Sequence, residues 1–128
     1  KPPTTIMTEE FKDMDFQHFL TYVAGELNGG DEFTLEVSGH TGRFWPGAGY
    51  DAVSKRELTR GTETIARYIS TSSGYDSDSE LRDDLDQERT SLRQSFPGKL
   101  ERTLLEVNAI TAKVEHIKDD RYQIKFDE

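Results

Sequence analysis

The chain has 128 residues and a mass of 14.6 kDa, carries a formal net charge of −9 at pH 7, and is 33% hydrophobic and 32% charged. That length suits one domain with a modest core, and seven Phe, five Tyr and one Trp are too many aromatics for a wholly disordered chain. The absence of cysteine excludes disulfides, thiolate metal sites and a cysteine nucleophile; with no run of about 18 apolar residues and no secretory-type leader, a soluble protein of the cytoplasm is expected, with no membrane contact.

The charge is unevenly spread. Residues 1–38 carry eight acids and two bases, and residues 73–95 seven acids and three bases; residues 39–72, with five bases and three acids, are the only net-positive part. Such sorting points to charge-directed contacts with a partner.

In chain order, residues 1–7, with Pro2 and Pro3, read as a flexible lead-in, and residues 8–128 as a single domain. Thr8 with Glu9 and Glu10 reads as a helix start, and Phe16, Phe19, Leu20, Val23 and Leu27 recur at helical spacing up to a stop at Asn28-Gly29-Gly30-Asp31. Residues 32–38 alternate apolar and polar, as a half-buried strand does. A loop rich in glycine and aromatics follows, Gly39 to Tyr50. Ser54-x-x-Glu57 then predicts a capped helix to about Ser70, with Leu58, Ile65, Ala66 and Ile69 inward and Arg56, Arg60 and Arg67 outward.

Ser70 to Ser79 reads as a linker. Ser77-x-x-Glu80 opens a charged helix whose thin apolar stripe is Leu81, Leu85, Leu92 and Phe96, with Pro97-Gly98 as its stop. Leu100 to Val107 fits helix or strand. Ile110, Ala112 and Val114, then Tyr122, Ile124 and Phe126, flank a turn at Lys118 to Arg121 and predict a terminal hairpin. The expected fold is α+β, with helices packed on one face of a small, mainly antiparallel sheet in the order α-β-α-α-(β)-β-β.

Gly29-Gly30-Asp31-Glu32-Phe33 resembles the signature of the diguanylate cyclases, in which the glycines form a hairpin tip and the acids bind metal and activate the nucleotide. That family places a strand directly before the motif, whereas here an amphipathic helix enters it, and the family's other metal- and guanine-binding segments have no counterpart. A helix stop followed by a strand start accounts for the same letters.

The central loop offers a candidate ligand site: His40 and Arg43 toward an anion, Trp45 and Tyr50 as stacking surfaces, and Lys55 and Arg56 beyond. It has neither Gly-x-x-x-x-Gly-Lys-Ser/Thr nor Gly-x-Gly-x-x-Gly, and a structural loop with a core-plugging Trp is the competing reading. Seven acids crowd the start of the third helix: Asp76, Asp78, Glu80, Asp83, Asp84, Asp86 and Glu88. Calcium is not expected there, because Leu81 stands where an EF-hand needs glycine and Gln87 where it needs the bidentate glutamate. A solvated helix start is the plain reading. The functional readings are carboxylates that imitate phosphates in a partner's basic groove, and phosphorylation at Ser73, Ser77 or Ser79.

Acid–base catalysis is not excluded, but no motif supports it. His18, His40 and His116 are scattered, and a Gly-x-Ser-x-Gly elbow is missing; no catalytic residue, metal or cofactor is assigned. Direct nucleic-acid binding through Arg56, Arg60 and Arg67 is disfavoured by the charge of −9. The expectation is therefore a non-enzymatic, acidic interaction protein, an inhibitor or adaptor that binds a basic surface of a partner such as a nucleic-acid-binding protein. The alternatives are a nucleotide- or phosphate-binding domain or small enzyme built on the Gly39–Tyr50 loop, and a subunit or fragment of a larger assembly.

Overall fold

The computed structural model describes residues 8–42 and 50–127. The elements are β1 (Glu9–Lys12), a 3-10 turn (Asp13–Asp15), α1 (Phe16–Glu26), β2 (Glu32–Gly42), β3 (Tyr50–Arg60), β4 (Glu63–Tyr75), α2 (Asp78–Asn108), β5 (Ala112–Lys118) and β6 (Arg121–Phe126). The strands form one sheet in the order β1-β4-β3-β2-β6-β5, in which only β1 and β4 run parallel.

Alternation along the strands decides the two faces. Phe33, Leu35 and Val37 of β2, Leu58 of β3, and Tyr122 and Ile124 of β6 are buried on the face that carries both helices. Phe33 stacks on Tyr122 at 5.5 Å, and Phe96 of α2 meets both rings edge-on. Phe19, Leu20 and Val23 line the buried side of α1. Each of these large side chains contributes about 1.5–3 kcal/mol by leaving water. The other face stays polar: Arg67 of β4 bridges Glu57 of β3 (2.9 Å) and Glu10 of β1 (2.9 Å), tying three strands together.

The α+β class and the mainly antiparallel sheet agree with the sequence reading. The element order does not: it is β-α-β-β-β-α-β-β. The helix expected over residues 54–70 is a β-hairpin. Its apolar spacing is helical by coincidence, while Val53, Thr59, Thr62, Thr64, Ile65, Tyr68, Ile69 and Thr71 favour extended backbone, and Gly61 turns the chain at φ +63°. Each of its strands has a neighbour on both sides, so ladder hydrogen bonds outweigh the local capping box.

Three further boundaries move. Residues 9–12 are extended rather than helical, because β1 lies beside β4 and Phe11 packs against Phe19 and Tyr22 (centroids 6.0 and 5.8 Å). The expected linker at 70–79 is strand as far as Tyr75. α2 does not stop at Pro97-Gly98 but runs on to Asn108, since Leu100, Thr103 and Leu104 extend the stripe of Leu92 and Phe96; Ala109 at φ +55° ends it. The terminal hairpin is as expected.

Gly30 (φ +91°) makes the turn out of α1. Asp31 accepts from the Asn28 N–H (2.8 Å) and from Arg60 (3.1 Å), which gives the cyclase-like letters a local structural use. Among the described residues, no helix is long and apolar enough to cross a membrane.

Candidate functional site

The end of β2, the start of β3, the end of β4 and the start of α2 meet at one pole of the sheet. The acidic helix start and the stem of the central loop, far apart in sequence, are thus brought together. Ser77 caps α2 by accepting the Glu80 N–H (3.3 Å). Asp78, in the first turn, accepts both the backbone N–H of Thr41 (3.3 Å) and its hydroxyl. The Thr41 hydroxyl is the main reason the Asp78 carboxyl titrates below the usual aspartate range. Tyr75, the last residue of β4, donates its hydroxyl to Asp84 (2.7 Å), which pushes its phenol pKa up. Glu80 accepts the Asp76 N–H at 3.0 Å.

These contacts hold carboxylates in place without cancelling their charge. Among the described residues, only two of the seven acids form ion pairs: Asp86 with Arg89 (2.7 Å), and Glu88 with Arg56. Asp78, Glu80 and Asp84 are held by neutral donors, and Asp76 and Asp83 have no side-chain partner there. Charge fixed by neutral donors remains available to an approaching cation. Charge already paired with arginine is largely spent. The pole is therefore a preorganised acidic surface, formed mainly by exposed residues.

The loop residues are placed differently. His40 is exposed near the end of β2, on the open face of the sheet beside Val53 and Thr71. Arg43 and Trp45 lie outside the described residues, and Tyr50 begins β3. Lys55 and Arg56 do not open a helix; they are neighbours on a strand and so face opposite ways. Lys55 lies on the open face 3.7 Å from Glu57. Arg56 lies on the helix side, with Glu88 and the rings of Phe16 and Tyr68. The two cannot grip one anion together. A shallow hollow of 290 Å³ at the pole is lined by Asp51, Ala52, Val53 and Thr71 to Ser73, with no cation among them.

Sequence reasoning missed Thr41, Asp51 and Tyr75. Tyr75, set inside a serine-rich stretch, was the available signal, since an aromatic there argues against a plain linker. Among the described residues, no three His, Asp or Glu side chains are grouped as metal ligands would be. Comparison with family models, with curated proteins and with solved structures finds no match to this chain.

Proposed function

We propose that the chain is a non-enzymatic interaction protein, an inhibitor or adaptor, whose acidic pole docks on a basic surface of a partner protein inside the cell. The observation that carries this reading is that Asp78, Glu80 and Asp84 are held by neutral hydrogen-bond donors, with Asp76 and Asp83 beside them, and that none of the five forms an ion pair among the described residues. A fixed array of carboxylates suits a groove built to receive phosphates, such as that of a nucleic-acid-binding protein.

The test is affinity capture from the native host, followed by a binding titration of the captured partner. Affinity should fall steeply between about 50 and 300 mM salt, as contacts between exposed charges are screened. The triple change Asp76→Asn, Asp83→Asn, Asp84→Asn should weaken it by at least about tenfold, mainly through slower association. Binding indifferent to both salt and the triple change rules the acidic pole out.

A ligand site at the Gly39–Tyr50 loop is the second reading. Support for it is confined to His40 on the open face near the hollow at the loop stem. Quenching of Trp45 emission by nucleotides or sugar phosphates, abolished in Arg43→Ala, would favour it.

A further inference from the structure

Among the described residues, β5 is an edge of the sheet, paired to β6 on one side only. Backbone groups of alternate residues in an antiparallel strand point to opposite sides. Thr111 gives its carbonyl to the Asp127 N–H, toward β6, whereas the N–H of Val114 goes to the carboxylate of Glu101 on α2 (2.9 Å) rather than to a strand. Ala112, Val114 and His116 therefore turn their backbone groups to the open side.

We propose that this edge pairs with the same edge of a second copy of this chain, and that Glu101 competes with that copy for the Val114 N–H. The strand is self-complementary. Antiparallel pairing centred on Val114 sets Val114 opposite its counterpart, as a hydrogen-bonded pair. It also sets Ala112 opposite His116, and Lys113 opposite Glu115 of the second copy, twice over. Lys113 and Glu115 then occupy the non-hydrogen-bonded positions, where opposed side chains come closest and opposite charges attract. Centring the pair on Glu115 instead would set that carboxylate against itself, so charge selects the first register.

A two-fold axis perpendicular to the sheet keeps both helix layers on one side and brings the C-terminal halves of the two α2 helices together. There Leu105 stands 55% exposed beside a groove of 310 Å³ shared with Gly98, Thr111 and Ala112. A second copy would cover that leucine. Unpaired edges in monomers are usually blunted by charges or by neighbouring elements, and Glu101 is that neighbour here.

Sedimentation velocity from about 5 µM to about 0.5 mM reads the equilibrium. The wild type should show a concentration-dependent dimer, and Glu101→Ala should tighten it about tenfold by freeing the Val114 N–H. Lys113→Glu should weaken the dimer at least about tenfold in either background, since both cross-strand pairs become repulsive. Adding Glu115→Lys to Lys113→Glu should restore it. Circular dichroism checks folding, and Glu115→Lys alone probes the same pairs should Lys113→Glu fail to fold. The inference is overturned if the wild type and Glu101→Ala both stay monomeric to the top concentration, if the dimer ignores Lys113→Glu, or if the exchanged pair does not restore it.

Discussion

Arg56 of β3 donates through Nε to Glu88 of α2 at 2.8 Å, with the rings of Phe16 and Tyr68 at 4.9 and 5.3 Å from its guanidinium. One side chain thus joins the middle of the sheet, both helices and the most inward of the acids. Each partner keeps about a quarter of its side chain exposed. Losing one of them should therefore cost less than the 3–5 kcal/mol of a sealed pair. Arg56→Ala is expected to lower stability by about 2 kcal/mol, through the stranded carboxylate and the lost stacking. Urea unfolding measures this; a loss below about 0.5 kcal/mol would mean that solvent already screens the pair.

Gly39 of β2 faces Leu85 of α2 and the β3 backbone with no room for a side chain. A Cβ there would meet the Val53 carbonyl oxygen at 2.9 Å and Leu85 Cδ1 at 3.2 Å. The leucine can give way but the backbone oxygen cannot, so Gly39→Ala should cost about 1–3 kcal/mol as overpacking. Thermal unfolding checks it, with Gly25→Ala, in open space at an exposed position of α1, as the control expected to stabilise.

Asp78 links pH to the integrity of the pole. Its folded carboxyl pKa lies below the ordinary value near 3.9, chiefly because of the Thr41 hydroxyl. A depressed carboxyl pKa contributes stability that is present above the unfolded value and is lost as pH falls through the folded one. The contribution should thus fade only below about pH 4. Urea midpoints between about pH 2.5 and 7 should fall less steeply with acid in Asp78→Asn, and Thr41→Val should reproduce much of that flattening. Identical acid limbs in all three proteins would assign Asp78 no part in acid stability.

Asp83 separates binding from folding. It has no side-chain partner among the described residues, and it lies one turn from both Glu80 and Asp86 on the exposed side of α2. Like charges three apart on a helix repel, so Asp83→Asn should raise stability by about 0.2–0.5 kcal/mol while partner affinity falls. A residue kept only for the fold would show the opposite pairing of effects, and a urea titration beside the binding assay tells the two apart.

How legible the fold was depended on whether local and tertiary signals agreed. β5, β6 and residues 32–38 of β2 alternate cleanly and have matching neighbours, so period placed them, while the last four residues of β2, through Gly42, fell in the expected loop. α1 kept its apolar stripe, but its start moved to Phe16 because the β1–β4 pairing claims Glu9 to Lys12, a contact no local pattern announces. The hairpin of β3 and β4 was lost to a capping box and to apolar positions three and four apart. Its β-branched residues and Gly61 were the better guide. The acidic patch was legible as composition. Its convergence with the loop stem was not, since it depends on Thr41 meeting Asp78 across 37 positions of chain.

Pro97 tests how far packing overrode propensity. Without an N–H it cannot bond the Arg93 carbonyl, and it sits inside α2 between the buried Phe96 and Leu100. An interior proline costs about 3 kcal/mol of helix propensity relative to alanine. If α2 needs no bend there, Pro97→Ala should raise stability by at least about 1 kcal/mol. If the interrupted ladder instead supplies the bend that seats Phe96 on Phe33 and Tyr122, straightening the helix should loosen those rings and lower stability. The continuous run of Leu92, Phe96, Leu100 and Leu104 on one buried stripe favours the first outcome, since a sharp bend would carry one end of that stripe off the core. Urea unfolding of Pro97→Ala, with near-ultraviolet circular dichroism to report on the aromatic cluster, decides between them.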